Sequence, residues 1–291
     1  MANVGGTDSE LIIAALRKVG ALTHFPPGLL PLMASFLGPD LIFLAGGVIR
    51  GAVSTAVCYS PHARSWCTNV PSMITARYGP ATVAIGSRMM VFGGTGRNGW
   101  HLASCEVFDL KANKWSALPP MSEPRVNASA VAWRGISLER DNVRVFIFGG
   151  LDGSTVLSSV ECFDSKLNRW SAMAPMPTPR SDTTAVAVSG CGLLVMGGYN
   201  GGDHDGRILQ SVQCYDPATN RWTAMSWQLP KPLFDFAAHC IDRTLYVLGG
   251  FSPGFGYVTD CWSMDLGADV PIWSALPPLP TKMAGLASVV L

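Results

Sequence analysis

Short apolar runs recur along the chain, and each stops at a Gly-Gly pair. The pairs stand at 46–47, 93–94, 149–150, 197–198 and 249–250, after runs such as Val145-Phe146-Ile147-Phe148 and Leu194-Val195-Met196. Runs this short, bounded by glycine, predict buried strands rather than helices. Their spacing is about fifty residues, a period that signals a repeat architecture. A second element follows each pair: an aromatic, usually with Asp after it, lies seven residues before a Trp. Tyr59 precedes Trp66, Phe108-Asp109 precedes Trp115, Phe163-Asp164 precedes Trp170 and Tyr215-Asp216 precedes Trp222; the fifth copy, Met264-Asp265, stands nine before Trp273. A third element leads from Pro and Met to a basic residue and then into small residues, as in Pro175-Met176-Pro177-Thr178-Pro179-Arg180 before Thr183-Thr184-Ala185-Val186-Ala187.

Three elements in one order, five times over residues 41–291, resemble the kelch repeat. The resemblance implies an all-β fold, a kelch-type β-propeller with one four-stranded blade per repeat and so five blades. A lone four-stranded unit leaves its faces bare, and stacking round an axis covers them. Small residues suit the strand nearest the axis, and Trp suits the wider gap between blades. Repeat 1 has no small-residue strand before Leu41, whereas residues 282–291 form an unpaired one at the other end. The economical arrangement lets this C-terminal strand complete the first blade, which removes two sheet edges. The domains are then 1–40, an N-terminal helical lead, and 41–291, the propeller. The lead reads as two short helices, 10–19 capped by Asp8 or Ser9, and about 29–37 opened near Pro27-Gly28. Residues 25–37 are similar to the opening helix of an F-box, or to the helical linker before kelch domains in BTB–kelch adaptors. An apolar helix packed against the propeller is the plainer alternative.

Composition agrees with that picture. The 291 residues include 31 Gly and 21 Pro, which is turn chemistry used once per blade. With 21 basic and 20 acidic residues, the chain has no electrostatic footprint for nucleic acid or an anionic membrane. Residues 25–39, the most apolar stretch without charge or His, are too short and too rich in proline to span a bilayer. The polar start, with Asp8 and Glu10, does not read as a signal peptide. No two of the five histidines have metal-ligand spacing, and Asp203-His204-Asp205 reads as a solvated loop. Neither a Gly-x-Ser-x-Gly turn nor a phosphate loop occurs. No metal, cofactor or catalytic residue is expected. Cys58, Cys162 and Cys214 each immediately precede a blade aromatic, which sets them a blade's width apart, beyond disulfide reach. They read as small apolar filler, favouring a reducing compartment, cytoplasm or nucleus. The pairs Cys58–Cys67 and Cys240–Cys261 stay open.

The resemblance also implies a function: a protein–protein interaction module that holds partner peptides on one face. In kelch adaptors the contacts come from the Arg opening each inner strand, the residue two later, and the residue after Gly-Gly. The matching positions here are Arg77, Arg125 and Arg180; Gly79, Asn127 and Asp182, with Asp235 near the equivalent place; and Val48, Thr95, Leu151, Tyr199 and Phe251. The candidate partner contacts are Arg77, Arg125, Asn127, Arg180, Asp182, Tyr199, Asp235 and Phe251. Guanidinium groups can bind carboxylates or carbonyls bidentately, and aromatic rings make rigid anchors. A second role is open to each Arg, closing its own blade. The expected role is substrate recognition for a ubiquitin-ligase adaptor, with cullin–RING ligase components or substrates as partners. An actin or cytoskeletal scaffold is the alternative. A kelch-type enzyme (copper oxidase, mutarotase or specifier protein) is more remote.

Overall fold

A computed structural model describes residues 33–36, 42–45, 52, 54–60, 65–67, 70–134, 143–201 and 208–282. Among these there is no helix, and five four-stranded antiparallel sheets follow one another along the chain. The first holds β1 (Met33–Phe36), β2 (Ile42–Ala45), β3 (Ala56–Ser60) and β4 (Ser65–Cys67). The second holds β5 (Ala81–Ile85), β6 (Arg88–Phe92), β7 (Cys105–Asp109) and β8 (Lys114–Leu118). The third holds β9 (Ser129–Trp133) and β10 (Arg144–Phe148), then a small hairpin of β11 (Leu151–Asp152) and β12 (Thr155–Val156), then β13 (Val160–Asp164) and β14 (Arg169–Met173). The fourth holds β15 (Thr184–Val188), β16 (Gly192–Met196), β17 (Ser211–Asp216) and β18 (Arg221–Gln228). The fifth holds β19 (Ala237–Ile241) and β20 (Thr244–Leu248), the hairpin β21 (Phe251–Ser252) and β22 (Gly256–Tyr257), then β23 (Cys261–Asp265) and β24 (Trp273–Leu276). Inner strands pack in sequence, β1 on β5, β5 on β9, β9 on β15 and β15 on β19, which is the arrangement of propeller blades round an axis.

Two expectations are corrected here. Residues 33–36, expected to end a helix, form a strand hydrogen-bonded to β2, with Met33 opposite Ala45 and Phe36 opposite Ile42. This strand occupies the inner place in the first sheet that the C-terminal strand was expected to fill. A hairpin partner a few residues away closes a far smaller loop than one at the opposite end of the chain. The expectation of five blades closed by the C-terminal strand also gives way: four sheets, the second to the fifth, make the repeating blades, and the first sheet takes its inner strand from residues 33–36 instead. The helix expected at 10–19, the rest of the 25–37 segment, Val48, Asp203-His204-Asp205 and the strand at 283–291 lie outside the described residues.

The seven-residue spacing has a local cause. In the second blade β7 ends at Asp109, whose Oδ1 accepts hydrogen bonds from the backbone N–H groups of Lys111 and Ala112. Asn113 then takes φ 48°, and β8 returns so that Trp115 lies opposite Phe108. Asp164 and Asn168 repeat this turn in the third blade, and Asp216 and Asn220 in the fourth. Asn tolerates the left-handed region that most residues avoid. Each Trp then spans two blades. The indole N–H of Trp115 donates to Pro71 O at 2.8 Å, that of Trp170 to Pro119 O at 2.8 Å, and that of Trp222 to Ala174 O at 2.9 Å. Trp273, despite its longer offset, donates to Gln228 O at 2.7 Å. The rings also meet the second strand of the preceding blade edge-on, Trp170 against Phe92 and Trp222 against Phe148. The core therefore lies between blades. One cluster joins Phe92 and Met121 to Val145, Ile147 and Phe163, and another joins Phe146 and Phe148 to Leu193, Val195 and Tyr215.

Candidate functional site

The three candidate arginines sit at the start of the inner strands, and all three are buried: Arg77 and Arg180 are 0% exposed and Arg125 is 1%. Each reaches across the second strand of its own blade to the third. Arg77 Nη1 donates to Gly93 O at 2.5 Å and Ser104 O at 2.9 Å, and its Nη2 meets Glu106 Oε1 at 2.6 Å. Arg125 repeats this with Gly149 O at 2.9 Å, Ser159 O at 3.1 Å and Glu161 Oε1 at 3.0 Å, and it also meets Glu123 at 2.7 Å. Arg180 donates to Gly197 O at 2.7 Å and to Ser211 O at 3.1 Å. Gln213 replaces the glutamate in that blade, opposite Val195 as Glu161 is opposite Ile147. Burial lowers the Arg180 guanidinium to about 10, so it remains charged at neutral pH. Of the two roles open to these arginines, the structure places them in the second. They clamp blades shut, which takes them out of the set of surface contacts.

Gly-Gly explains why the clamp must be close. In the second, third and fourth blades the second glycine of the pair bonds forward to the next blade: Gly94 N to Arg125 O at 2.7 Å, Gly150 N to Arg180 O at 2.8 Å and Gly198 N to Leu233 O at 2.8 Å. A Cβ on Gly93 or Gly149 would strike the same carbonyl of the next blade, and both residues of each described pair have positive φ.

The residue two after each Arg position lines the inner end of its blade. Gly79, Asn127, Asp182 and Asp235 all lie in the left-handed region, with φ between 53° and 60°. Their backbones are joined in series: Asn127 N donates to Gly79 O at 2.9 Å, Asp182 N to Asn127 O at 2.9 Å, and Asp235 N to Asp182 O at 3.1 Å. The three side chains are half-buried. Burial raises the Asp182 carboxyl, and burial with the neighbouring Asp182 charge raises Asp235 to about 7. A cation arriving between them would reverse both effects.

The residues after Gly-Gly surround this ring at the same end of the blades. Each pairs with the residue after the Arg position: Thr95 with Tyr78, Leu151 with Val126, Tyr199 with Ser181, and Phe251 with Phe234. Thr95 is buried, and Leu151, Tyr199 and Phe251 are half-buried. In the fifth blade Phe234 lies 4.9 Å from Phe251, which lies 5.3 Å from Tyr257. Phe255 is 70% exposed and Tyr257 53%, and in the second blade Trp100, on the corresponding loop, is 74% exposed. Lys231 spans this rim, 2.5 Å from Asp260 and over the rings of Phe255 and Trp262. Among the described residues no group of three His, Cys, Asp or Glu side chains converges to hold a metal, and no helix is long and apolar enough to cross a membrane.

Several of these parts escaped sequence reading. Glu106 and Glu161 were overlooked because their strands read as apolar, yet each is the lone acid inside a third strand of buried residues. The fifth blade carries Leu233 where the others carry Arg, and Trp262 where the others carry Glu or Gln. That pairwise exchange shows only once the register is known. Phe234, Trp100 and Tyr257 gave no periodic signal, since they sit outside the four long strands of a blade, Tyr257 in the short β21–β22 hairpin.

The comparisons with known proteins agree with this geometry. A family model described as the KLHDC2/KLHL20/DRC7 Kelch-repeats domain matches residues 33–250. Kelch-like protein 35 of Mus musculus is 30% identical over 278 residues, covering 93% of this chain and 42% of that protein. Kelch-like protein 34 of Homo sapiens is 27% identical over 289 residues, covering 88% of this chain and 42% of that protein. Beta-scruin of Limulus polyphemus is 33% identical over 156 residues, covering 50% of this chain and 15% of that protein. The chain thus spans less than half the length of these curated relatives. Repeat, blade geometry and family match agree, and the chain belongs to the kelch-repeat proteins.

Proposed function

We propose that this chain binds partner polypeptides on the face formed by the Gly-Gly ends of its blades, as the substrate-recognition part of a ubiquitin-ligase adaptor. The observation that carries this reading is the grouping on one face of exposed rings with polar side chains at the axis. Phe234, Phe251 and Tyr257 offer a packed aromatic anchor whose outer ring, Tyr257, is exposed, and such anchors dominate binding energy at protein interfaces. Asn127, Asp182 and Asp235 stand beside it and supply the polar contacts that fix orientation. The contact set is therefore Asn127, Asp182, Tyr199, Asp235 and Phe251, joined by Tyr257 and Trp100, with the arginines behind it as support. The similarity to Kelch-like proteins supports an interaction role. The ligase role, like cullin–RING partners and residence in the cytoplasm, rests on the family resemblance.

Proximity labelling in the native cell tests the assignment. Enrichment of cullin-type subunits is the expected result, and enrichment of filament proteins instead would replace the adaptor with a scaffold. For a partner so captured, Phe251→Ala with Tyr257→Ala should weaken binding at least tenfold, measured by calorimetry, while the thermal midpoint moves little. Unchanged affinity would place the binding surface elsewhere.

A further inference from the structure

The Gly-Gly ends and the clamps leave one chemically distinctive pair unused, at the opposite end of the fourth blade. The turn joining inner and second strands has two residues in the second and fifth blades, where Ile85 pairs with Arg88 and Ile241 with Thr244. In the fourth blade Val188 pairs with Gly192, so the turn is one residue longer. That longer turn carries Cys191, which is exposed. Its Sγ lies 3.5 Å from Sγ of Cys214, a buried residue on β17 that also approaches the Cys191 carbonyl at 3.4 Å. The approach is built into the backbone. Gly190 and Gly192 have φ of 76° and 128°, and a Cβ on Gly192 would collide with Tyr215 O, beside Cys214 Sγ. Only glycine lets the turn fold down onto the third strand at this point.

We propose that Cys191 and Cys214 form a reversible disulfide, an oxidation-sensitive site on the face away from the partner-binding end. The sulfurs are already in contact, and a disulfide needs them only about 1.5 Å closer, which a glycine-flanked turn can supply. The order of events follows from exposure. Cys191 meets a peroxide first. Its thiolate attacks one oxygen, the O–O bond breaks, and the departing hydroxide takes up a proton to leave water and a sulfenic acid. Cys214 then attacks the Cys191 sulfur, the S–O bond breaks, and the hydroxide leaves as water with the Cys214 proton. Two thiols are oxidised to one disulfide and one peroxide is reduced to two waters. Two equivalents of a small thiol reverse it. Hydrogen bonding from Cys214 holds the Cys191 thiol down at about 7, and that bond together with burial pushes Cys214 up, which suits attacker and resolver respectively.

The test uses the full chain and hydrogen peroxide in small excess, followed by non-reducing peptide mapping. The expected first product links the Cys191 and Cys214 peptides and reverts with dithiothreitol, while Cys105, Cys162 and Cys261 remain alkylatable after denaturation. In Cys214→Ala, oxidation should stop at a Cys191 sulfenic acid that dimedone traps, and the pH midpoint of Cys191 alkylation should rise. Because the cross-link is mapped in the unsubstituted chain, the result does not depend on whether the variant folds. Both thiols remaining alkylatable, a stable sulfenic acid in the unsubstituted chain, or a first link from Cys191 to Cys240 on the neighbouring β19 would each overturn the proposal.

Discussion

Asp235 is held in a place that suits a carboxylic acid better than a carboxylate. Its backbone is committed to the axis ring, and its side chain shares that space with Asp182. A carboxyl raised to about 7 in the fold and near 4 in the unfolded chain stabilises the fold fully below pH 4, and that contribution fades as pH rises through 7. The wild-type chain should therefore lose roughly 2–3 kcal/mol more stability between pH 5 and pH 8 than Asp235→Asn does, by urea unfolding at both pH values. Equal losses would mean that the carboxyl is ionised throughout. Asparagine is the right replacement, since Asn127 already holds the same backbone conformation one blade earlier than Asp182. This register was visible in the sequence as Gly79, Asn127, Asp182 and Asp235, all residues that accept positive φ. It was read as a set of contacts, and the backbone reason emerged only with the structure, because left-handed geometry and partner binding both select the same residue types.

Within a blade, the Arg clamp replaces what a longer sheet would do by pairing. It ties the lead-in of the inner strand to the Gly-Gly end of the second and to the third, and its energetics depend on what remains when it is cut. Arg125→Ala strands Glu161, which is 3% exposed, and should cost about 3–5 kcal/mol. Arg180→Ala strands the Gly197 and Ser211 carbonyls but no carboxylate, and should cost about 2 kcal/mol less, read as the difference in urea midpoint at equal m-value. Equal costs would show that the carbonyl bonds, rather than the carboxylate, set the clamp's strength. The fifth blade solves the same problem with apolar groups, Leu233 at 0% exposure and Trp262 packed against the same cluster. Exchanging both members together avoids the desolvation of a lone charge. The four-strand unit was legible because its signals are local, a glycine pair, an Asp turn and a Trp at fixed offset. The first sheet was misread because an apolar segment such as Met33-Ala34-Ser35-Phe36 has no period of its own, and its hairpin partner decides its state.

Across the whole molecule, the inter-blade bonds repeat with the same partners, and the axis ring is the most central of them. The amides of Asn127, Asp182 and Asp235 are each bonded to a carbonyl of the preceding blade, so exposing one means parting two blades. In native-state hydrogen exchange these three should therefore exchange with the free energy of global unfolding. Exchange at markedly lower cost would mean that single blades detach. The indole bonds point one way in sequence. The acceptors Pro71, Pro119, Ala174 and Gln228 all belong to the blade made before the donor. During synthesis, each new blade therefore leaves the ribosome with its mooring already present on the growing stack, and the chain never has to wait for its far end to place an interior tryptophan.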